Sequence, residues 1–134
     1  MKVVGTVLGS DIFVTGNVGT VTVGAFRDSR LFAGYTGPDS GIGGAFNFAA
    51  TVTKFVSTGK IDGFQNGRVI ATNFKTVTIT NVDSTNSGNK FGFYADTSLG
   101  TKLGSITVKT PTLFKYNPAL PTPQGIGDFE VKIV

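Results

Sequence analysis

Three apolar positions spaced i, i+3 and i+5 recur along this chain, and that recurrence constrains the fold more than any other feature. The clearest copy is Phe74, Val77 and Ile79 in FKTVTIT. Val18, Val21 and Val23 repeat it, as do Leu103, Ile106 and Val108, and Ile126, Phe129 and Val131. Val52 and Phe55 fit with Ser57 in the third place, and Val4 and Val7 fit with Gly9 in the third. A second element follows several copies: a polar pair and then a short apolar strand, as SDIFV (10–14), SRLFA (29–33), GRVIA (67–71) and NKFGF (89–93). The copies start roughly 24 residues apart on average, within the period of solenoid coils.

A unit of this kind carries too few inward apolar residues to bury its own hydrophobic face. Stacked on copies of itself, at ~4.8 Å per layer, it lines a continuous core. The expected fold is therefore all-β: a right-handed parallel β-solenoid of about five to six irregular coils. Val21, Phe55, Val77, Ile106 and Phe129 would form one interior column, and Leu31, Val69 and Phe91 another. On the strand 74–80, Val77 and Ile79 would be core while Thr76, Thr78 and Thr80 face out. The alternative is an antiparallel β-sandwich or jelly roll, which predicts alternation but not one recurring motif.

Composition agrees with strands. Val, Thr, Phe and Ile dominate, there are 19 glycines, and Glu130 is the only glutamate. β-Branched and aromatic side chains suit a pleated, half-buried surface. At 134 residues the chain is one domain that can bury a core without staples. It lacks Cys, which excludes disulfides and thiolate chemistry, and it lacks His, the commonest metal ligand and general base. A net charge of +4 without a run of Lys or Arg is not a nucleic-acid footprint. No stretch reaches the length of a transmembrane helix.

The connections differ in length. GPDSGIGGAFNF (37–48) is a glycine-rich loop that Phe46 and Phe48 should fold back onto the body. NVDSTNSGN (81–89) is polar and exposed, and NPALPTPQG (117–125) is rich in proline. The N-terminal stretch lacks the unbroken apolar run of a signal peptide, and Met1 stands directly before a repeat unit. The expectation is a single β-repeat domain, 1–134, cut from a longer chain.

The units Gly19–Gly24, Ser29–Tyr35, Thr53–Thr58, Arg68–Asn73, Lys75–Thr80 and Gly104–Thr110 resemble the degenerate GxVTVxG-type β-helical repeats of large secreted bacterial surface proteins, adhesin-like in kind. The resemblance covers most of the chain outside 37–48 and 117–125. It implies a non-enzymatic structural or adhesive module, extracellular or on the cell surface, with any export signal upstream. The Gly-Gly-x-Gly-x-Asp calcium repeats of toxin-type solenoids are missing.

Two sets of residues are candidates for binding. Thr20, Thr22, Thr76, Thr78, Thr80 and Thr107 belong to Thr-x-Thr or Ser-x-Thr pairs. Stacked coils would array their hydroxyls in a flat grid, suited to a crystalline, ice-like surface or a polysaccharide. Thr is also the ordinary solvent-facing residue of a strand. Thr51 and Thr53 sit one step out of register with the other pairs. Arg30, Arg68 and Lys90 each precede the inward residue of a second strand, and Asp11 holds that place in the first unit. A stacked basic column would engage an acidic polysaccharide or cell-surface polymer, or would simply be a solvated face eased by Asp28 and Asp62.

The aspartates stand mostly beside Gly, Ser or Asn, which is turn chemistry. Asp83 with Asn86 falls short of the oxygens that calcium takes. No catalytic residue, cofactor or metal site is expected. The remaining expected partner is a second copy of the chain, paired end to end through the N-terminal unit, whose strand edges carry few charges.

Overall fold

The computed structural model describes residues 1–37, 44–46, 49–96 and 102–134. The chain opens with β1 (Lys2–Leu8), β2 (Asp11–Val14), β3 (Val18–Arg27), β4 (Arg30–Ala33) and the short pair β5 (Tyr35–Thr36) and β6 (Ala45–Phe46). It continues through β7 (Thr51–Ser57), β8 (Phe64–Gln65), β9 (Arg68–Ala71), β10 (Asn73–Asn81), β11 (Phe91–Ala95) and β12 (Leu103–Thr110). It closes with β13 (Phe114–Lys115), β14 (Gln124–Ile126) and β15 (Phe129–Ile133). The described chain is all-β.

Two sheets hold nearly all of these strands. The first runs β1-β3-β7-β10-β12-β13, with β8 beside β3, and the second runs β14-β15-β11-β9-β4-β2. The first five strands on that first path are joined by parallel pairs, and so are β2, β4, β9, β11 and β15. Antiparallel pairing closes one side of each sheet, β13 on β12 and β14 on β15, and joins β5 to β6.

The register follows the recurring motif through the middle of the first sheet. Val18, Val52, Phe74 and Leu103 are successive neighbours, then Val21, Phe55, Val77 and Ile106, then Val23, Ser57, Ile79 and Val108. The second and third columns are buried throughout. Ser57 is tolerated there because its hydroxyl donates to the Gly63 carbonyl at 2.6 Å, and an unpaired buried hydroxyl would be costly. Val77 and Ile79 are fully buried, while Thr76 is exposed and Thr78 and Thr80 are half-buried.

Four register expectations are corrected. Val4 is 87% exposed. The first unit slips between Val3 and Thr6, so Val3 faces Val23 and Val7 faces Phe26. The slip sits where Gly24 approaches the Val4 and Gly5 carbonyls so closely that a Cβ would meet them at 2.5 and 2.7 Å. Phe129 is not in the column of Ile106: β15 belongs to the second sheet, with Phe129 beside Phe91. Short β13 fills the next place on the first sheet, and the proline-rich connection carries the chain across. Phe93, not Phe91, aligns with Val69 and Leu31. Lys90 consequently lies two residues before the place of Arg68, which Gly92 takes.

The inner faces of both sheets share one core. Phe93 shows how: its ring lies 5.5 Å from Phe55, 5.3 Å from Phe64, 5.4 Å from Phe74 and 6.2 Å from Phe129. The second sheet also buries its outer face. Phe32, Tyr35, Ile70 and Tyr94 form a separate apolar cluster there, with Phe46 packed against it. Strands buried on both faces read as continuous apolar runs, as in RLFA, RVIA and FGFYA. Phe46 does fold back as expected. Phe48 and most of the glycine-rich loop lie outside the described residues.

Candidate functional site

The outer face of the second sheet carries the charged row expected from the sequence, in altered form. Asp11, Arg30, Arg68, Gly92 and Glu130 are successive neighbours on adjacent strands. Tight turns between the two sheets deliver the first three. The residue two positions before each is left-handed: Gly9 at φ 57°, Asp28 at 46° and Asn66 at 43°. Gly, Asp and Asn are the residues that tolerate that region. Successive turns are tied together. Ser29 Oγ donates to the Arg27 carbonyl at 2.6 Å and accepts from the Ser10 amide at 3.1 Å. Asn66 Nδ2 donates to Asp28 Oδ1 at 2.8 Å, and Asn86 Nδ2 donates to Asn66 Oδ1 at 3.0 Å.

Arg30 and Arg68, with Asp28 and Asn66, line a polar groove of about 280 Å³. Arg30 binds Asp11 with both forks, Nε to Oδ1 at 2.7 Å and Nη2 to Oδ2 at 2.6 Å. Its guanidinium also sits 6.0 Å from the Phe32 ring centre. Arg68 donates to the Lys90 carbonyl at 3.2 Å. The row is thus acidic at one end, basic in the middle and acidic again at Glu130.

Lys90 stands apart from the two arginines. Its ammonium donates to the Gly127 carbonyl at 2.9 Å and lies 3.5 Å from Asp128. Asp128 in turn accepts from the amides of Asn86 at 2.6 Å and Gly88 at 3.0 Å. These amide bonds, with Lys90 adding to them, hold the Asp128 carboxyl below its ordinary range. Asp62 contacts Arg27, at 3.9 Å, rather than the arginine row.

Asp83 Oδ1 accepts from the Thr85 hydroxyl at 2.8 Å and from its amide at 3.0 Å, and Oδ2 accepts from Gln65 at 2.8 Å. The Thr85 hydroxyl, then its amide, lower the Asp83 pKa. Among the described residues no group of three or more acidic, His or Cys side chains could hold a metal ion.

Sequence reasoning missed Tyr94 and Glu130. Gly92 leaves a gap in the row between Arg68 and Glu130. The buried Tyr94 hydroxyl lies outside hydrogen-bond geometry but within the fields of both. Burial, and next the Glu130 charge, push its pKa upward, while Arg68 opposes them. The available signal was the continuous apolar run FGFYA, which placed Tyr94 on a covered face.

The threonines lie on the outer face of the first sheet in mixed columns. Thr20, Lys54, Thr76 and Ser105 are successive neighbours, as are Lys2, Thr22, Val56, Thr78 and Thr107. Of the named threonines, Thr78 and Thr107 stand side by side. Thr80 gives its carbonyl to the Thr110 hydroxyl at 2.7 Å. Thr51 faces Asn73, one step out of register as expected.

Compared with known proteins, the chain matches no family model, no curated protein and no solved structure. Among the described residues no helix is long and apolar enough to cross a membrane.

Proposed function

We propose that this chain is a β-solenoid module with a non-enzymatic structural or adhesive role in an extracellular bacterial surface protein. One observation carries the reading. The chain passes repeatedly between two sheets, and through most of both sheets each new strand lies parallel to one laid down on an earlier pass. The charged side chains support a scaffold as well. Asp11, Asp83 and Asp128 are each engaged in tying neighbouring turns or loops together.

The test is to add a pass. A chain carrying a second copy of residues 51–72, inserted after residue 72, should fold and unfold cooperatively. Its denaturant slope should exceed that of the parent, because a longer stack exposes more surface on unfolding. Loss of the β signal, or of cooperative unfolding, would overturn the solenoid reading. Surface proteolysis of intact source cells tests the location, and release of peptides from this chain is the expected result.

An acidic polymer is the second reading, favoured by the adjacent arginines of the polar groove. Binding to an acidic polysaccharide that weakens with salt and with Arg68→Gln would support it. The mixed columns on the threonine face offer no comparable regular array.

A further inference from the structure

The first sheet holds a pocket that is separate from the arginine groove. Val52, Phe74 and Leu103 stand side by side on β7, β10 and β12. The next inward place on each strand is three residues on, so two exposed residues intervene, as Lys75 and Thr76 do on β10. On β12 the first of the two is Gly104. A Cβ there would strike the Lys75 carbonyl, so glycine lets the two strands approach closely and adds no side chain of its own. A pocket of about 330 Å³ opens at this place. Phe74 and half-buried Leu103 give it a mostly apolar lining.

Its polar side chains share one property. Lys75, Lys102, Asn73 and Thr51 can all donate hydrogen bonds, and among the described residues no carboxylate lines the pocket. Neither lysine ammonium has a hydrogen bond or ion pair among the described residues. The arginine groove differs on both counts, since Asp28 lines it and Arg30 is paired with Asp11. Asn73 is also anchored. Its Oδ1 accepts from the Lys102 amide, which holds that stretch of chain against β10. Its Nδ2 makes one long bond, 3.5 Å to the Thr72 hydroxyl, and keeps a second N–H to donate.

We propose that this pocket is a binding site for a small carboxylate with an apolar body. Two ammonium groups without an acidic partner favour an anion and repel a cation. The apolar lining and the lysine stems favour a hydrophobic body over a bare inorganic ion. The carboxylate lies between Lys75 and Lys102, where Asn73 and Thr51 can add hydrogen bonds, and the body packs on Leu103 and Phe74. A volume at the lower end of ligand pockets suits one or two rings, not a polymer. The site is independent of the module's structural role, and of the acidic-polymer reading, which concerns the other sheet.

The test is an NMR titration of the 134-residue chain with 2-naphthoate. Shifts at Leu103 and Phe74, with a dissociation constant of about 1 mM or tighter, are expected. 2-Naphthamide keeps the rings without the charge and should bind about tenfold more weakly or worse. Acetate keeps the charge without the rings and should leave the Leu103 methyls unshifted. The double variant Lys75→Gln, Lys102→Gln should weaken 2-naphthoate about tenfold or more, with circular dichroism and Tm unchanged, because both side chains are exposed. Lys54→Gln, outside the pocket lining, and Arg68→Gln, in the groove, should leave binding intact. The ligand series needs no variant, so it decides the matter even where a variant misfolds. No shift at Leu103 up to about 10 mM 2-naphthoate overturns the inference. So does equal binding of the amide or of acetate, or a loss caused by Arg68→Gln and not by the lysine variant.

Discussion

Replacing Phe93 with alanine should be one of the costlier single truncations in the core. The side chain is fully buried on β11, between Val69 and Val131. Its ring meets four others: Phe55 and Phe74 from the first sheet, Phe129 from the second and Phe64 from β8. Buried Phe→Ala changes cost about 3–5 kcal/mol, the loss growing with the cavity left behind. The upper half of that range applies here, because edge and stacked ring contacts add ~0.5–1.5 kcal/mol each beyond burial. The neighbours also belong to hydrogen-bonded strands that cannot collapse into the gap. Domains of this size are stable by about 5–15 kcal/mol in all. The loss should therefore lower the urea midpoint by roughly a third or more, and Tm by about 12–20 °C. Far-UV circular dichroism during urea and thermal unfolding is the assay. Phe13→Ala is the matched control, since that ring is 64% exposed and stacked on one neighbour. It should cost under about 1.5 kcal/mol. A Phe93→Ala loss below about 1 kcal/mol, or equal losses at the two sites, would refute a core shared between the sheets.

Gly92→Ala should also be severe, by a different route. Gly92 sits at φ 142°, and an added Cβ would collide with the Glu130 carbonyl on the neighbouring strand. Backbone strain of ~1–3 kcal/mol adds to the cost of parting β11 from β15. Gly19→Ala, with open space at its Cβ, should change stability by less than about 1 kcal/mol, and unfolding in urea compares the two. Acid should destabilise the chain in a defined window. Asp83 and Asp128 have folded pKa values below the ordinary 3.8. Each therefore contributes stability that is complete above the unfolded value and is lost as pH falls through the lower folded value. The urea midpoint should be level near pH 6 and drop below about pH 4. Asp83→Asn should remove part of that slope, and a midpoint that rises on acidification would contradict the assignment.

The columns of the first sheet were legible because their physical cause is local. In β3, β7, β10 and β12 the inward places at i+3 and i+5 face the same core. Each strand repeats the pattern that the previous one imposes, Ser57 included. The second sheet was read only in part. Its strands are covered on both faces, so Phe32, Ile70 and Tyr94 are as buried as Leu31, Val69 and Phe93. A run such as FGFYA carries no alternation from which to choose the inner face. The expected register therefore fell on Phe91, two residues early. The ends were not legible for another reason. Val4 and Phe129 were displaced by a slipped strand and by a chain reversal, and neither leaves a periodic trace.

The charged row follows from the same cause. Arg30 and Arg68 were found because identical turns, Arg27-Asp28-Ser29 and Gln65-Asn66-Gly67, deliver them at identical offsets. Lys90 was expected in the same row but lies two residues short of it, because the next connection, 81–89, is longer and brings β11 in with Phe91 ahead of the equivalent place. Gly92 then occupies the row, since a side chain there would strike β15. A basic column three residues long would have repelled itself on this face. The arrangement actually present has two adjacent arginines in its middle, with Asp11 and Glu130 at the two ends. Within the row the Arg30–Asp11 pair ties two successive strands together, β4 to β2.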